Sequence, residues 1–424
     1  MRSSGYLSTQ KPLEFHFYVL RDAGKAAVYF RRRRMPEAAR AQRAPSPPAI
    51  AFAGMIALAV AMGIGRFAFT PILPMMQQDV ALSLAAGSWL ASANYLGFML
   101  GAVSAIRLRV RHTIVIRWGL FMIGVLTLGM GFTRQFAIWM VLRALAGVAN
   151  AWTQVFVFAW CLDKLSAVQR PMLNGVLCAG VGTGIVVVGG FCLVLMHMNA
   201  SSAQAWTGIG LIALIATAAV WPIFSGPEDV TPGKRQRPAP CGRQWDADSL
   251  LLVLCFGASG LGYIVPATFL PVMAQQRVPN PLVFGWSWPV FGAAAAVTPM
   301  LAAGWTLRVG NRRVWTLSHI MMAVGVALPV LSLSIGSIMI AALLIGGTFM
   351  INALASMQEA QSVAGLDGAT GLMAAMIAAF ATGQIVGPLL LSYLIGPDAD
   401  FSQALLIAAA ALIASAYALS RSHR

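Results

Sequence analysis

The sequence predicts an all-α membrane protein with twelve transmembrane helices in two six-helix, pseudo-symmetric halves. Three observations predict it. The chain is 58% hydrophobic and 10% charged, with a mean hydropathy of +0.75, outside the range of soluble domains. Its apolar residues fall in blocks of about 20, the length that crosses a bilayer. One motif recurs near the start of each half, on either side of a polar linker.

Residues 1–48 stand apart. They are basic and then Pro/Ala-rich, as in "RRRRMPEAARAQRAPSPPA", and the composition predicts a disordered extension. Its "FHFYVL" is too short for a secretory apolar region. Two readings stay open: a cytoplasmic tail held near anionic lipid, or an upstream start with Met35 as the initiator. Residues 49–224 form the N-terminal half, with spans expected near 49–73, 85–106, 113–132, 135–160, 171–197 and 203–224. Residues 225–247, "SGPEDVTPGKRQRPAPCGRQWDA", read as a cytoplasmic linker. Residues 248–424 form the C-terminal half, with spans near 248–273, 283–305, 314–334, 336–357, 369–395 and 402–419. Long spans together with Pro71, Pro74, Pro266, Pro271 and Pro289 predict tilts and kinks.

The repeat pairs "GIGRFAFTPILPMMQQ" (63–78) with "GLGYIVPATFLPVMAQQ" (260–276). Gly63 and Gly260, Gly65 and Gly262, Pro74 and Pro271, and Met76 and Met273 all lie 197 residues apart. Parallel repeats about an axis along the membrane normal place a cavity between the halves. At the same offset, Arg66 faces Tyr263, so the cavity is expected to carry its charge on the first half.

The net charge of +16 does not describe a nucleic-acid-binding surface, because the basic residues sit between apolar spans and lack interleaved exposed aromatics. They do set an orientation. Arg107, Arg109, Arg111, Lys164, Arg170, Lys234, Arg235, Arg237, Arg243, Arg308, Arg312, Arg313, Arg421 and Arg424 fall on one side, against Arg134 and Arg277 on the other. The basic side is cytoplasmic, so both termini are expected inside. The five cysteines, Cys161, Cys178, Cys192, Cys241 and Cys255, form no CxxC pair and no zinc-spaced cluster. No disulfide, metal or cofactor is expected.

This pattern resembles the major facilitator superfamily over residues 49–420. "GIGRFAFTPILPMM" looks like the opening signature of its YbfB/YjiJ-like bacterial branch. "LRALAGVANA" (142–151) is similar to the Arg-x-x-x-Gly pattern of the fourth helix, through Arg143 and Gly147, with Ala146 where a glutamine is common. Arg308, Gly310, Arg312 and Arg313 fit the superfamily's cytoplasmic loop pattern, with Leu307 in the aspartate position. The resemblance implies a gating role for those four, and Glu359 at the cytoplasmic edge reads as a gate or interface residue. The fifth helix, "GVLCAGVGTGIVVVGG" (175–190), is glycine-rich but lacks the proline of the antiporter motif.

Two apparent motifs have plainer readings. "GASG" (257–260) imitates an intramembrane serine protease, which needs a histidine base. His319 is the one candidate, and its place near the cytoplasmic end of the ninth helix puts it out of reach. "GVGTG" (180–184) follows no strand, so it reads as small residues for close helix approach.

The fourth helix aligns Arg143, Gly147, Asn150 and Gln154 on one face; the tenth aligns Thr348, Asn352, Ser356 and Glu359. Both stripes are expected to face inward, as cavity lining or as interhelical glue. Arg66 lies ~24 Å from the cytoplasmic surface and Arg143 ~10 Å below the outer one, a similar depth in a ~30 Å core. No buried acid pairs with either, which favours an anionic substrate, a carboxylate held bidentately. The rival is that the arginines cap helix carbonyls or bind Asp79. The expected substrate-binding set is Arg66, Arg143, Asn94, Asn150, Gln154, Tyr263, Asn352 and Gln384. The expected function is secondary transport of a small solute by alternating access, by a monomer in the cell membrane that binds no nucleic acid. An exporter of amphipathic or drug-like compounds and a non-transport multi-span protein are the alternatives.

Overall fold

The computed structural model describes residues 13–20, 27–34, 45–108, 110–166, 168, 170–225, 246–277, 286–332, 334–394 and 402–422. The chain divides into two compact units, Met1–Ser46 and Pro47–Arg424. In the first, β1 (Leu13–Leu20) and β2 (Ala27–Arg34) pair antiparallel, with Phe17 opposite Phe30 and Val19 opposite Val28. The expected disorder is therefore corrected for these residues. Composition over the whole segment hid two short runs rich in Phe, Tyr and Val, which favour strands.

The second unit is helical. Its first span is α1 (Pro47–Leu58), a π-helical segment (Ala59–Ile64), a turn, and α2 (Phe69–Asp79). Then come α3 (Leu84–Ala105), α4 (His112–Gly131), α5 (Phe136–Ser166), α6 (Pro171–His197) and α7 (Ser202–Val220). The expected linker lies almost wholly outside the described residues, as does Cys241. The chain resumes with α8 (Ala247–Arg277), α9 (Ser287–Val309), α10 (Asn311–Leu331), α11 (Ile335–Leu394) and α12 (Ser402–Arg421).

Among the described residues, 11 helices are long and apolar enough to cross a membrane. The expected tenth and eleventh spans are the two helices that make up α11, separated by a break where Gly365 adopts φ 65°. Only glycine takes that conformation readily. The second expected span, α3, has 22 residues, ~33 Å at 1.5 Å each. Its serines and Asn94 lower its hydropathy below that of the others.

Helix pairing repeats between the halves. In the first, α1 packs on α6, α3 on α5, and α4 on α7; in the second, α8 packs on α11, α9 on α11, and α10 on α12. The motif glycines explain the first of these. A Cβ on Gly63 would lie 2.4 Å from the Cα of Gly184, and one on Gly260 would lie 2.2 Å from the carbonyl oxygen of Phe380. Without side chains the backbones approach closely, as membrane helices do when hydrophobic drive is absent. Gly184 belongs to "GVGTG", so close approach is the use of that stretch. The halves meet through α6 on α9 and α3 on α11.

Candidate substrate site

The π segment places Arg66. Gly65 N donates to Val60 O at 2.9 Å and Phe67 N to Met62 O at 3.0 Å, five residues back instead of four. The extra residue breaks the first span, and such bulges concentrate at functional sites. Arg66 sits in that break, 3% exposed. Its Nη2 donates to Gln384 Oε1 on α11, across the two halves. Its guanidinium carbon lies 4.4 Å from the ring centre of Phe98 and 4.9 Å from that of Tyr95, within cation–π range. Arg66 Nε and Nη1 have no hydrogen-bond partner among the described residues.

Arg143 on α5 reaches the same break. Its Nη1 donates to Gly65 O at 3.2 Å, while its Nε is buried without a partner. One nitrogen therefore caps a helix carbonyl, as the rival reading expects. The other rival, Asp79, is engaged elsewhere: its carboxylate accepts from the backbone N–H of Ser202, at the positive end of α7. Arg312 forms ion pairs with Asp248 and Glu359.

The other expected residues divide into groups. Asn94 Nδ2 donates to Arg143 O at 3.0 Å, tying α3 to α5. Asn150 is fully buried with both amide atoms unpartnered, its Oδ1 against Gly65, where a Cβ would meet it at 2.2 Å. Gln154 and Asn352 line one small cavity between the halves, with Met62, Ser259, Phe349 and Phe380. That cavity holds about 10 Å³, room for about one water. Thr348 and Ser356 bond to carbonyls of their own helix, which removes them from the polar lining.

Tyr263 joins an aromatic cluster. Its ring stacks on Phe349 at 4.4 Å and lies 6.2 Å from Phe67, 6.0 Å from Phe291 and 6.4 Å from Phe380. Phe67, next to Arg66, is the first half's contribution. The cluster thus joins rings of both halves.

The structure also brings together a pair that sequence reasoning kept apart. Ser259 Oγ lies 2.6 Å from His319 Nε2, and Trp315 Nε1 donates to the same nitrogen at 2.9 Å. His319 is fully buried. The expectation that it lies out of reach is corrected: at the third turn of α10 it is deep enough to meet α8. This is not a hydrolase arrangement. Nε2 already accepts an indole N–H, and Nδ1 has no partner to orient the ring.

Of the expected gating residues, Arg308 and Arg313 are exposed. Gly310 turns the chain at φ 93°. Arg312 donates to Glu359 Oε1 at 2.6 Å, to Asp248 Oδ1 at 2.8 Å and to Ser422 Oγ at 2.8 Å. This cluster joins α8, α10, α11 and the end of α12, all within one half. Asp248 was not anticipated; its one signal was an acid in the first turn of the seventh helix.

A family model described as "Uncharacterised MFS-type transporter YbfB" matches residues 58–420. The chain belongs to this family. It is a multi-pass membrane protein of the major facilitator type, as its opening motif and helix pairing indicate. No curated protein matches it. Residues 1–46, with the hairpin, lie outside the matched region.

Proposed function

We propose that this transporter moves a small organic anion across the cell's inner membrane by alternating access of its two halves. The observation that carries the reading is the pair of buried arginines at the break in the first span. Neither has a carboxylate partner among the described residues, and together they retain three unpartnered nitrogens, Arg66 Nε and Nη1 and Arg143 Nε. Buried charges need compensation. Here a ligand's carboxylate or similar anion supplies it, held by planar guanidinium forks. Gln384 is the natural trigger. It bonds Arg66 across the halves, and an entering anion competes for the same guanidinium.

The loop charges support cytoplasmic termini. An α-helical span count that is even, with basic loops inside, gives that orientation, and a cytoplasm-only reporter fused after Ser225 should be active. No coupling ion is assigned. The aromatic cluster around Tyr263 favours a second reading, export of amphipathic compounds. Uptake into proteoliposomes of a panel of organic anions, organic cations and neutral amphiphiles separates the two. Anion-selective uptake that Arg66→Gln abolishes supports the first reading; cation or neutral transport indifferent to Arg66 overturns it.

A further inference from the structure

Unpartnered polar atoms surround the interface. By the break lie the donors Arg66 Nε and Nη1, Arg143 Nε and Gln384 Nε2, together with Asn94 Oδ1 and both amide atoms of Asn150. The orientation of Gln384 is not ambiguous, because arginine only donates, so the amide oxygen must face Arg66 and its nitrogen is left free. In the cavity wall lie the acceptors Gln154 Oε1 and Asn352 Oδ1. Asn352 points its amino group at Met322 Sδ, 3.8 Å away, which fixes its oxygen as the free atom.

Ser259 completes the acceptor set, and its neighbours dictate its role. Trp315 Nε1 can only donate, so His319 Nε2 carries no proton. The Ser259 hydroxyl has two acceptors within reach of its one hydrogen, His319 Nε2 at 2.6 Å and the carbonyl oxygen of Cys255, four residues back, at 3.3 Å. With its hydrogen committed, Ser259 turns lone pairs alone toward the cavity it lines. Between them, His319 and the Cys255 carbonyl hold the hydroxyl hydrogen, which leaves Ser259 as an acceptor.

Resting on the reading of Arg66 and Arg143 as an anion site, we infer that Ser259, Gln154 and Asn352 form a second subsite that accepts a hydrogen bond from a neutral hydroxyl on the same substrate. The substrate class is a hydroxylated aromatic carboxylate. The cavity wall carries no acid, so an ammonium would be buried uncompensated and a neutral donor fits better. Phe349 and Phe380 line the cavity and belong to the cluster around Tyr263, which suits a flat apolar body. Phe380 precedes Gln384 by one helical turn, ~6 Å of rise, so one of the cavity's rings stands a turn away from the residue that bonds Arg66.

The test is equilibrium binding to the full chain in lipid nanodiscs, using three probes: 4-hydroxyphenylacetate, phenylacetate and 4-methylphenol. The hydroxylated acid should bind about 3- to 10-fold tighter than phenylacetate, the worth of one ordinary hydrogen bond. Ser259→Ala should bring that ratio to about one. Equal binding of the two acids by the unaltered chain overturns the second subsite and leaves the anion reading standing. So does a wild-type ratio retained in Ser259→Ala. If 4-methylphenol binds as tightly as the acids, or neither acid binds, the anion reading itself falls and takes this inference with it.

Discussion

At matching places of the repeat, the first span and α8 hold the same glycines and opposite chemistry. Gly63 and Gly260 both let a neighbouring backbone come within contact, on α6 and α11. Three residues later the first span carries Arg66 and α8 carries Tyr263. The first span breaks there through a π segment, whereas α8 runs as one helix from Ala247 to Arg277. The two stretches share a packing device and differ in the side chain beside it. The result is an interface with charge on one wall and aromatic rings on the other, suited to a ligand with two unlike ends.

If packing is the shared feature, it should fail equally on both sides, and this is the largest effect expected. Gly63→Leu and Gly260→Leu each force a side chain into backbone atoms 2.4 Å and 2.2 Å from the Cβ. Overpacking costs about 1–3 kcal/mol where side chains can yield, and backbone yields less. Both variants should lose most folded protein, seen as a collapsed monodisperse peak in size-exclusion chromatography. Gly190→Ala, where nothing lies within 4 Å, should be indistinguishable from the parent. A tolerated Gly260→Leu beside a lethal Gly63→Leu would mean that the halves do not share their packing logic.

If the site is the divergent feature, it should respond unequally. Losing the Arg66 guanidinium removes charge-assisted bonds worth ~1.5–3 kcal/mol, roughly 10- to 150-fold in anion affinity. Arg66→Gln should show that loss, and Arg66→Lys should recover it only in part because the fork is gone. Tyr263→Phe keeps the ring stacking and should hold anion affinity within about threefold. The measurement is binding of an organic anion to purified protein. Equal losses at 66 and 263 would put charge recognition on neither wall.

Much of this was legible in the sequence because it depends on local pattern. Apolar blocks located the helices to within a few residues, and the constant offset of the repeat announced the paired glycines. The polar stripe of α5 gave Asn150 and Gln154. What was missed depends on contacts between distant segments. Nothing local says that an extra residue will be squeezed out near Ala59, or that Gln384 will meet Arg66 318 positions away. The contact of His319 with Ser259 was missed because it joins two distant segments, and Ser259 was dismissed with the protease motif it imitates. Trp315 and His319, four residues apart, share a helix face; that spacing was the available clue.

The Arg312 cluster offers a smaller asymmetry. Arg312 is mostly buried and holds Asp248 and Glu359 at once. Arg312→Ala would leave two carboxylates facing each other. The cost should be about 1–3 kcal/mol, read as a lower unfolding midpoint in detergent, with Arg308→Ala unchanged because that side chain is exposed. The cluster lies within one half, so the variant should weaken the C-terminal half without altering the contact of α6 with α9. A cysteine crosslink between those two helices, formed at parental efficiency, would confirm that; a slower crosslink would make Arg312 an inter-half gate.

The smallest effect belongs to the N-terminal unit. Residues 1–46 form a compact unit separate from Pro47–Arg424, and the family match begins only at residue 58. The arginines, the cavity and both glycine contacts are all built from residues beyond 58. A chain starting at Pro47 retains α1 complete, including Ile50, Ala51 and Ala53 in the buried core. Its Pro47 and Pro48 stand at the helix start, where the missing N–H groups cost nothing. The shortened protein should therefore insert, survive size exclusion and bind anions with the parent's affinity. The run of four arginines at 31–34 adds attraction to anionic lipid of about 1 kcal/mol per charge near the surface. Removing it should change only how the chain associates with acidic vesicles before insertion. A truncated chain that inserts but loses anion binding would move part of the site into the hairpin unit, and the contrast between the first span and α8 would no longer account for charge recognition.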